Sequence, residues 1–198
     1  MGGRWGVDGP PPEAYSRVTN PERFAPLHEW ATETMDRLED EFDVIRAQGV
    51  DIDSGVELDP TRPAVRLEPR DPEAGPLAIG FTGFPGLIVG LGHWLVEPIP
   101  VCGCDACDET AEEERGRLDE LVHALVHGRF RERLRVPPLV GFEEMEVDGV
   151  VGAAWYEYEI PSESSKSRLS RARAKSLIEA AGGKSSFRYA PWPRRQPT

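Results

Sequence analysis

The stretch LAIGFTGFPGLIVGLGHWLVEPI, residues 77–99, carries the pattern that decides the fold. It contains three short apolar runs, LAIGFTGF, LIVG and HWLVEPI, which are separated by Pro85-Gly86 and by further glycines. Short apolar runs bounded by glycine and proline are typical of β-strands that are joined by tight turns. Together with an earlier run of the same kind, AVRLEP at 64–69, they predict an antiparallel meander.

A helix is predicted on each side of the meander. The first starts at Asn20-Pro21-Glu22, where a capping side chain precedes a proline, and it continues to a glycine stop at Gly49. Pro26 offers a second start for the same helix. Its core-facing positions recur at steps of three and four residues: Leu27, Trp30, Thr34, Leu38, Phe42 and Ile45. The second starts at Thr110, which forms a capping-box pattern with Glu113, and it runs to about Phe130. Its buried stripe consists of Leu118, Leu121, Val122 and Leu125.

A hairpin is predicted after the second helix. The segments GFEEMEV (141–147) and VVGAAWYEYEI (150–160) flank Asp148-Gly149, a dipeptide that tolerates the positive φ angles of a two-residue turn. The predicted fold class is therefore α+β. We expect a mainly antiparallel sheet of about five or six strands, with two main helices packed on one face and a basic C-terminal tail.

The composition divides the chain into three segments. We expect a flexible arm over residues 1–19, a single α+β domain over 20–161 and a basic tail over 162–198. The tail carries nine Lys or Arg residues against Glu163 and Glu179, a local charge of +7 in a chain whose net charge is −12, which leaves −19 for the rest. Because its apolar stripe is thin, the tail should form at most a marginal helix followed by a disordered segment, and it should add little stability.

Charge also limits the partners. The acidic body should repel nucleic acid and anionic lipid, so we expect no membrane contact. The end of the tail interleaves arginines with the aromatic rings of Phe187, Tyr189 and Trp192, a mixture that can stack on bases. A protein is thus one candidate partner, and nucleic acid could bind only through the tail. The N-terminal sequence lacks the apolar stretch of a secretory signal, so we expect a cytoplasmic protein.

All three cysteines lie in CGCDACDE, residues 102–109, between the last meander strand and the second helix. A redox interpretation takes Cys104 and Cys107 as a CxxC pair, but the surrounding acids should raise the thiol pKa values and disfavour the reactive thiolate. A structural interpretation treats the thiols as small buried hydrophobes and Asp105 and Asp108 as helix caps. A metal interpretation uses the same acids as favourable neighbours of a cation.

The metal interpretation predicts a zinc site with Cys102, Cys104 and Cys107 as ligands. Zinc takes four ligands in structural sites, so the fourth must come from His93, from Asp105 or Asp108, or from water. The pair His123 and His127 is spaced like a ligand pair, but it points away from the buried stripe and is expected at the surface. Zinc is the one cofactor that the sequence suggests.

Two classes of function remain open. No phosphate-binding glycine loop, dinucleotide motif or GxSxG nucleophile motif occurs in the sequence. The function predicted first is a non-enzymatic cytoplasmic binding or regulatory protein with a structural cysteine cluster. The alternative is a metal-dependent or thiol enzyme centred on the cysteine cluster, with His93 and Glu97 nearby.

Residues 81–109 resemble a family of uncharacterised bacterial proteins, a domain of unknown function that is associated with actinobacteria. The resemblance is carried by FPG at 84–86, by the run Gly92-x-Trp94-x-x-Glu97 and by CGCDACDE. It extends over about residues 20–160. The resemblance implies no activity, cofactor or partner.

Overall fold

The structure is a computed structural model that describes residues 5–7, 9–137 and 153–196. Within these ranges it contains three α-helices and two antiparallel sheets, of five and four strands, so the predicted α+β class is confirmed. In chain order the elements are α1 (Pro26–Glu41), β1 (Val44–Gln48), β2 (Val65–Pro69), β3 (Leu77–Phe81), β4 (Leu87–Leu91), β5 (Leu95–Ile99), α2 (Ala111–Val126), β6 (Arg131–Arg135), β7 (Ala153–Ile160), β8 (Glu163–Ser170), α3 (Arg171–Ala180) and β9 (Ser186–Arg188). None of the helices in these ranges is long and apolar enough to span a lipid bilayer.

The first sheet is the predicted meander. Its strand order is β1-β2-β3-β4-β5, and every neighbouring pair is antiparallel. The central strand β3 is buried along its whole length, because the helices cover one face and the loop after β1 covers the other. A Cβ atom at Gly80 would lie 2.8 Å from Leu58 Cδ2, so only glycine allows this loop to pack so closely on β3.

The first helix ends earlier than the sequence predicts. Phe42 leaves α1 in an extended conformation, and Val44–Gln48 pair with β2 as an edge strand. Val44 is 7% exposed and Ile45 is 49% exposed, which is the alternation of a half-buried strand. The prediction that Phe42 and Ile45 are helical is wrong. They fit the helical spacing, but a run of one turn is too short to distinguish the period of a helix from that of a strand.

The start of the second helix is as predicted. Thr110 Oγ1 accepts a hydrogen bond from the Glu113 backbone N–H at 3.2 Å, and the Glu113 carboxylate accepts one from the Thr110 N–H at 3.0 Å. The predicted stripe is buried: Leu118, Leu121, Val122 and Leu125. At the first helix, Asn20 opens only a short 3-10 turn, Pro21–Phe24, without a side-chain cap, and α1 begins at the second predicted start, Pro26.

A second sheet, which the sequence does not predict, is built from the last part of the chain in the order β8-β7-β6-β9. β7 pairs with β6 on one side and with β8 on the other. The predicted hairpin turn at Asp148-Gly149 and the segment 141–147 lie outside the described residues. The inner faces of β6 and β7 join the hydrophobic core of the helices and the first sheet through Leu134, Ala154, Tyr156, Tyr158 and Ile160.

The residues assigned to the tail differ from expectation on both sides of the helix, because Glu163–Ser170 before it form β8, which pairs with β7. The predicted marginal helix is α3, but the chain after it is held by the core, because β9 pairs with β6 and Tyr189 and Trp192 are buried. Trp192 Nε1 donates a hydrogen bond to the Gly75 carbonyl at 2.9 Å, and its ring packs edge-on against Phe42. Large rings bury much apolar area, and this gain outweighs the charge of the flanking arginines, Arg188, Arg194 and Arg195, which stay at the surface.

Replacement of Trp192 by alanine should therefore lower the free energy of unfolding by about 3 to 4 kcal/mol, because it empties a buried site and leaves the Gly75 carbonyl unpaired. Urea unfolding followed by circular dichroism measures the loss. The control is Tyr15→Ala, at an aromatic side chain that is 61% exposed, and it should change stability by less than about 0.5 kcal/mol. Equal stability of the two variants would contradict the docking of the C-terminal segment.

Candidate metal centre

The cysteine loop, residues 100–110, connects β5 to α2 and is held in place by Asp105. This carboxylate is fully buried and accepts hydrogen bonds from Arg17 Nε at 2.9 Å, from the Thr19 N–H at 2.9 Å and from Thr19 Oγ1 at 3.0 Å. The Thr19 amide is the main cause that lowers the pKa of Asp105 to about 2. Both oxygens are occupied, so Asp105 fixes the loop rather than offering a metal ligand.

The segment predicted as a flexible arm packs on the same loop. Ala14 is fully buried against Cys104 and Ala106, and the Ala106 N–H donates to the Ala14 carbonyl at 3.2 Å. Arg23 binds the loop from the other side, donating to the carbonyls of Gly103 at 3.0 Å and Glu109 at 3.1 Å. The arm is predicted to be flexible because it is rich in glycine and proline. That composition gives no indication of these backbone contacts.

The loop brings the three cysteine sulfurs together. All three lie within 4.8 Å of one another, and the sulfurs of Cys104 and Cys107 are 3.6 Å apart. Around a tetrahedral zinc ion, two sulfurs at about 2.3 Å from the ion lie about 3.8 Å from each other. Cys104 is buried, Cys102 is half-buried and Cys107 is exposed, so the group is open to solvent on one side. The three cysteines could therefore hold a metal ion.

The thiols differ from one another in acidity. The pKa of Cys104 is lowered mainly by a hydrogen bond from the Cys102 thiol and, to a smaller extent, by one from the Cys107 backbone amide. Hydrogen bonding to Cys102 and to Cys104, together with burial, raises the pKa of Cys107 to about 12. The sequence predicted raised pKa values throughout, but hydrogen bonds in direct contact with the Cys104 sulfur outweigh the more distant acids.

Glu109 is a candidate ligand that the sequence analysis missed. Its Oε2 atom is buried and has no hydrogen-bond partner among the described residues. Burial raises the pKa of this carboxyl, and a hydrogen bond from the Cys102 backbone amide opposes the rise. The carboxylate therefore lies near the backbone of Cys102, outside the group formed by the three sulfurs. In the sequence it could not be told apart from the other acids of the loop, because only the folded chain shows which oxygen is buried without a partner.

His93 does not lie with the sulfurs. It precedes β5, whereas the cysteine loop follows it, so a strand of five residues that rises about 3.3 Å per residue separates them. The His93 ring stacks on Phe187 with centroids 3.9 Å apart, and Nδ1 lies 2.8 Å from Tyr189 Oη. Glu97, the other residue of the enzyme alternative, is engaged by Arg117 at 2.9 Å. Neither residue therefore completes an active-site cluster at the cysteines.

The remaining candidates also lie apart from the ligand group. Asp108 follows Cys107 with a φ angle of 52°, a left-handed conformation that turns the chain towards α2. His123 and His127 are exposed, as predicted, and their rings stack on each other with centroids 4.0 Å apart.

Glu114 is a buried acid in the first turn of α2, close to this loop. Burial is the main cause that raises its pKa to about 7, and Glu109, Glu113 and Glu97 add to the rise while Arg117 opposes it. The folded chain thus keeps the Glu114 proton at pH values where the unfolded chain has lost it. The contribution to stability is complete below about pH 4.5 and is lost as the pH rises through about 7.

We therefore predict that Glu114→Gln is more stable than the parent chain by about 2 kcal/mol at pH 8 and equally stable near pH 4.5, because glutamine stays neutral at both. Urea unfolding at the two pH values measures the difference. Glu112→Gln is the matched control at an exposed position of the same turn, and it should change stability by less than about 0.5 kcal/mol. A constant difference for Glu114→Gln would show that its burial does not perturb the carboxyl.

The comparison with known proteins agrees with the predicted resemblance to a family of unknown function. One family model, described as a family of unknown function (DUF6226), matches residues 1–196. The match is longer than the predicted range of about 20–160, and it includes the N-terminal segment and the C-terminal segment that pack on the core. No curated protein and no solved structure matches the chain. The chain belongs to the DUF6226 family, whose function is unknown.

Proposed function

We propose that this chain is a non-enzymatic binding protein that contains a structural zinc ion held by Cys102, Cys104 and Cys107. The observation that carries the proposal is the grouping of the three sulfurs within 4.8 Å. A contraction of about 1 Å brings the widest pair to the spacing that tetrahedral zinc requires. The sulfurs are thus nearly in position before an ion binds.

The surroundings of the sulfurs support a bound cation. Three thiolates on one loop repel each other, and a divalent ion removes this repulsion. The backbone amides of Cys107 and Ala106 donate to the Cys104 sulfur, which favours the thiolate that a metal requires. Because Asp105 and Arg23 already hold the loop, little conformational entropy remains to be lost when the ion binds.

The fourth ligand in this proposal is the carboxylate of Glu109. Its buried Oε2 lacks a hydrogen-bond partner among the described residues, and a carboxylate oxygen is a normal zinc ligand. A shift of this side chain towards the sulfurs would give the oxygen a partner and complete the coordination. His93 is not needed, because its ring is engaged by Phe187 and Tyr189.

The proposed role of the ion is structural. It would close the loop between β5 and α2 and thereby hold the N-terminal residues that pack on this loop, Ala14, Arg17 and Thr19. An ion that binds only the folded chain adds its binding free energy to folding.

We expect zinc to copurify at about one ion per chain, and a strong chelator to lower the melting temperature by roughly 5 °C or more. Elemental analysis and thermal unfolding measure the two effects. Cys104→Ser should abolish zinc binding, whereas His93→Ala should retain it, because only the first variant removes a ligand. If the purified protein is folded without metal and a chelator does not change its stability, the proposal is contradicted. The cysteines would then be small buried hydrophobic residues, as in the structural interpretation.

The role of Glu109 has its own test. Glu109→Gln should weaken zinc binding by about tenfold or more while the three cysteines still bind, and competition with a chelating dye measures the affinity. Glu112→Gln, at an exposed acid nearby in the sequence, is the matched control. Equal affinity of the two variants would exclude Glu109 and leave water as the fourth ligand.

A further inference from the structure

The outer face of the second sheet carries a concentration of positive charge, and we call it the basic face. In β6, Glu132 and Leu134 point into the core, so Arg131, Arg133 and Arg135 point outward. The antiparallel register places the outward residues of the four strands in three rows. The rows are Ser164-Glu159-Arg131-Arg188, Lys166-Glu157-Arg133-Ser186 and Arg168-Trp155-Arg135.

The basic face has an excess of four positive charges, because its six Lys or Arg residues face only Glu157 and Glu159. The whole chain has a net charge of −12, so this excess is set against an acidic remainder. Arg133, Arg135 and Lys166 all approach Glu157, at 2.8, 3.2 and 3.5 Å. A single carboxylate cannot neutralise three cations. The positive charge that remains can bind an anionic partner.

An aromatic ring lies within this charge. Trp155 is half-buried in the third row, between Arg135 and Arg168. Lys166 Nζ lies 4.4 Å from the centre of its ring, and the Arg168 guanidinium lies at 5.3 Å. Both cations are on long, exposed side chains, so they can leave the ring for a phosphate when a base stacks on it.

The basic face is concave. An open hollow of about 470 Å³ lies over the first two rows, where residues of all four strands line it. Among them are Arg131, Arg133, Lys166 and Arg188. Trp155 lies in the third row, beside this hollow. An extended chain with charges at intervals fits such a face, since outward side chains lie about 4.8 Å apart across neighbouring strands and about 7 Å apart along each strand.

We propose that the basic face binds single-stranded nucleic acid, with phosphates on the arginines and Lys166 and a base stacked on Trp155. Guanidinium groups pair well with phosphates, and base stacking requires a base that is free of a duplex. The site shares Arg188 with the predicted tail site but uses a different ring, because Tyr189 and Trp192 are buried and cannot stack on bases. No residue of the cysteine loop contributes to it, so it goes beyond the zinc proposal and does not depend on it.

The test is fluorescence anisotropy of the full chain with a labelled oligothymidine of about twelve nucleotides. We expect binding at about 50 mM salt that weakens by an order of magnitude or more at about 200 mM, because the contacts are largely ionic. Trp155→Ala and Arg168→Ala should each weaken binding by about tenfold, and Trp155→Phe should restore most of it. Arg70→Ala is the matched control, since Arg70 is an exposed arginine that pairs with Asp43 outside this face.

Circular dichroism establishes that each variant is folded before binding is compared. Absence of binding at low salt, or equal binding by the parent chain, Trp155→Ala and Arg168→Ala, would overturn the proposal. Equal affinity for a duplex or for a polyglutamate peptide would also overturn it, because the face would then recognise charge without bases. Folded Cys104→Ser protein should bind the oligonucleotide normally, so failure of the zinc site and failure of the basic face are distinguishable.

Discussion

The buried carboxylate of Glu132 is the interaction on which the arrangement of the two sheets depends. It is 2% exposed and accepts hydrogen bonds from the backbone N–H groups of His93 at 2.7 Å and Trp94 at 3.2 Å, and from the hydroxyls of Tyr156 at 3.1 Å and of Tyr189. Burial raises the pKa of Glu132, and these donors oppose the rise. Because a buried carboxylate costs several kcal/mol unless donors replace its water, the first sheet, the second sheet and the C-terminal segment must meet around it.

The burial of Glu132 determines features on both faces of the second sheet. On the inner side, the turn between β4 and β5 comes so close that a Cβ atom at Gly92 would lie 2.6 Å from Glu132 Oε1, and Gly92 has a φ angle of 62°. Glycine is required there on both grounds. On the outer side, the inward direction of Glu132 sets the alternation of β6, so Arg131 and Arg133 face solvent. The basic face thus follows from the way in which one acid is buried.

The features that the sequence predicts correctly are those that depend on residues close together in the chain. The meander and the capping box of Thr110 are local patterns, and the three cysteines meet because they lie within six positions. What depends on distant residues is not predicted. Nothing in the run RERLR at 131–135 indicates that its glutamate is buried, because the donors at His93 and Tyr189 are 39 and 57 residues away. The unpartnered oxygen of Glu109 is likewise visible only in the folded chain, where burial distinguishes it from its acidic neighbours.

The separation of charge bears on how the two proposed sites can coexist. Acids flank the cysteines in the sequence of the cysteine loop and continue into the first turn of α2 with Glu112, Glu113 and Glu114. Such surroundings attract a divalent cation and repel a polyanion, whereas the basic face does the reverse. A nucleic acid strand would therefore be steered to the second sheet and away from the cysteines. Zinc in this loop would stabilise the packing of the N-terminal segment and would not contact nucleic acid.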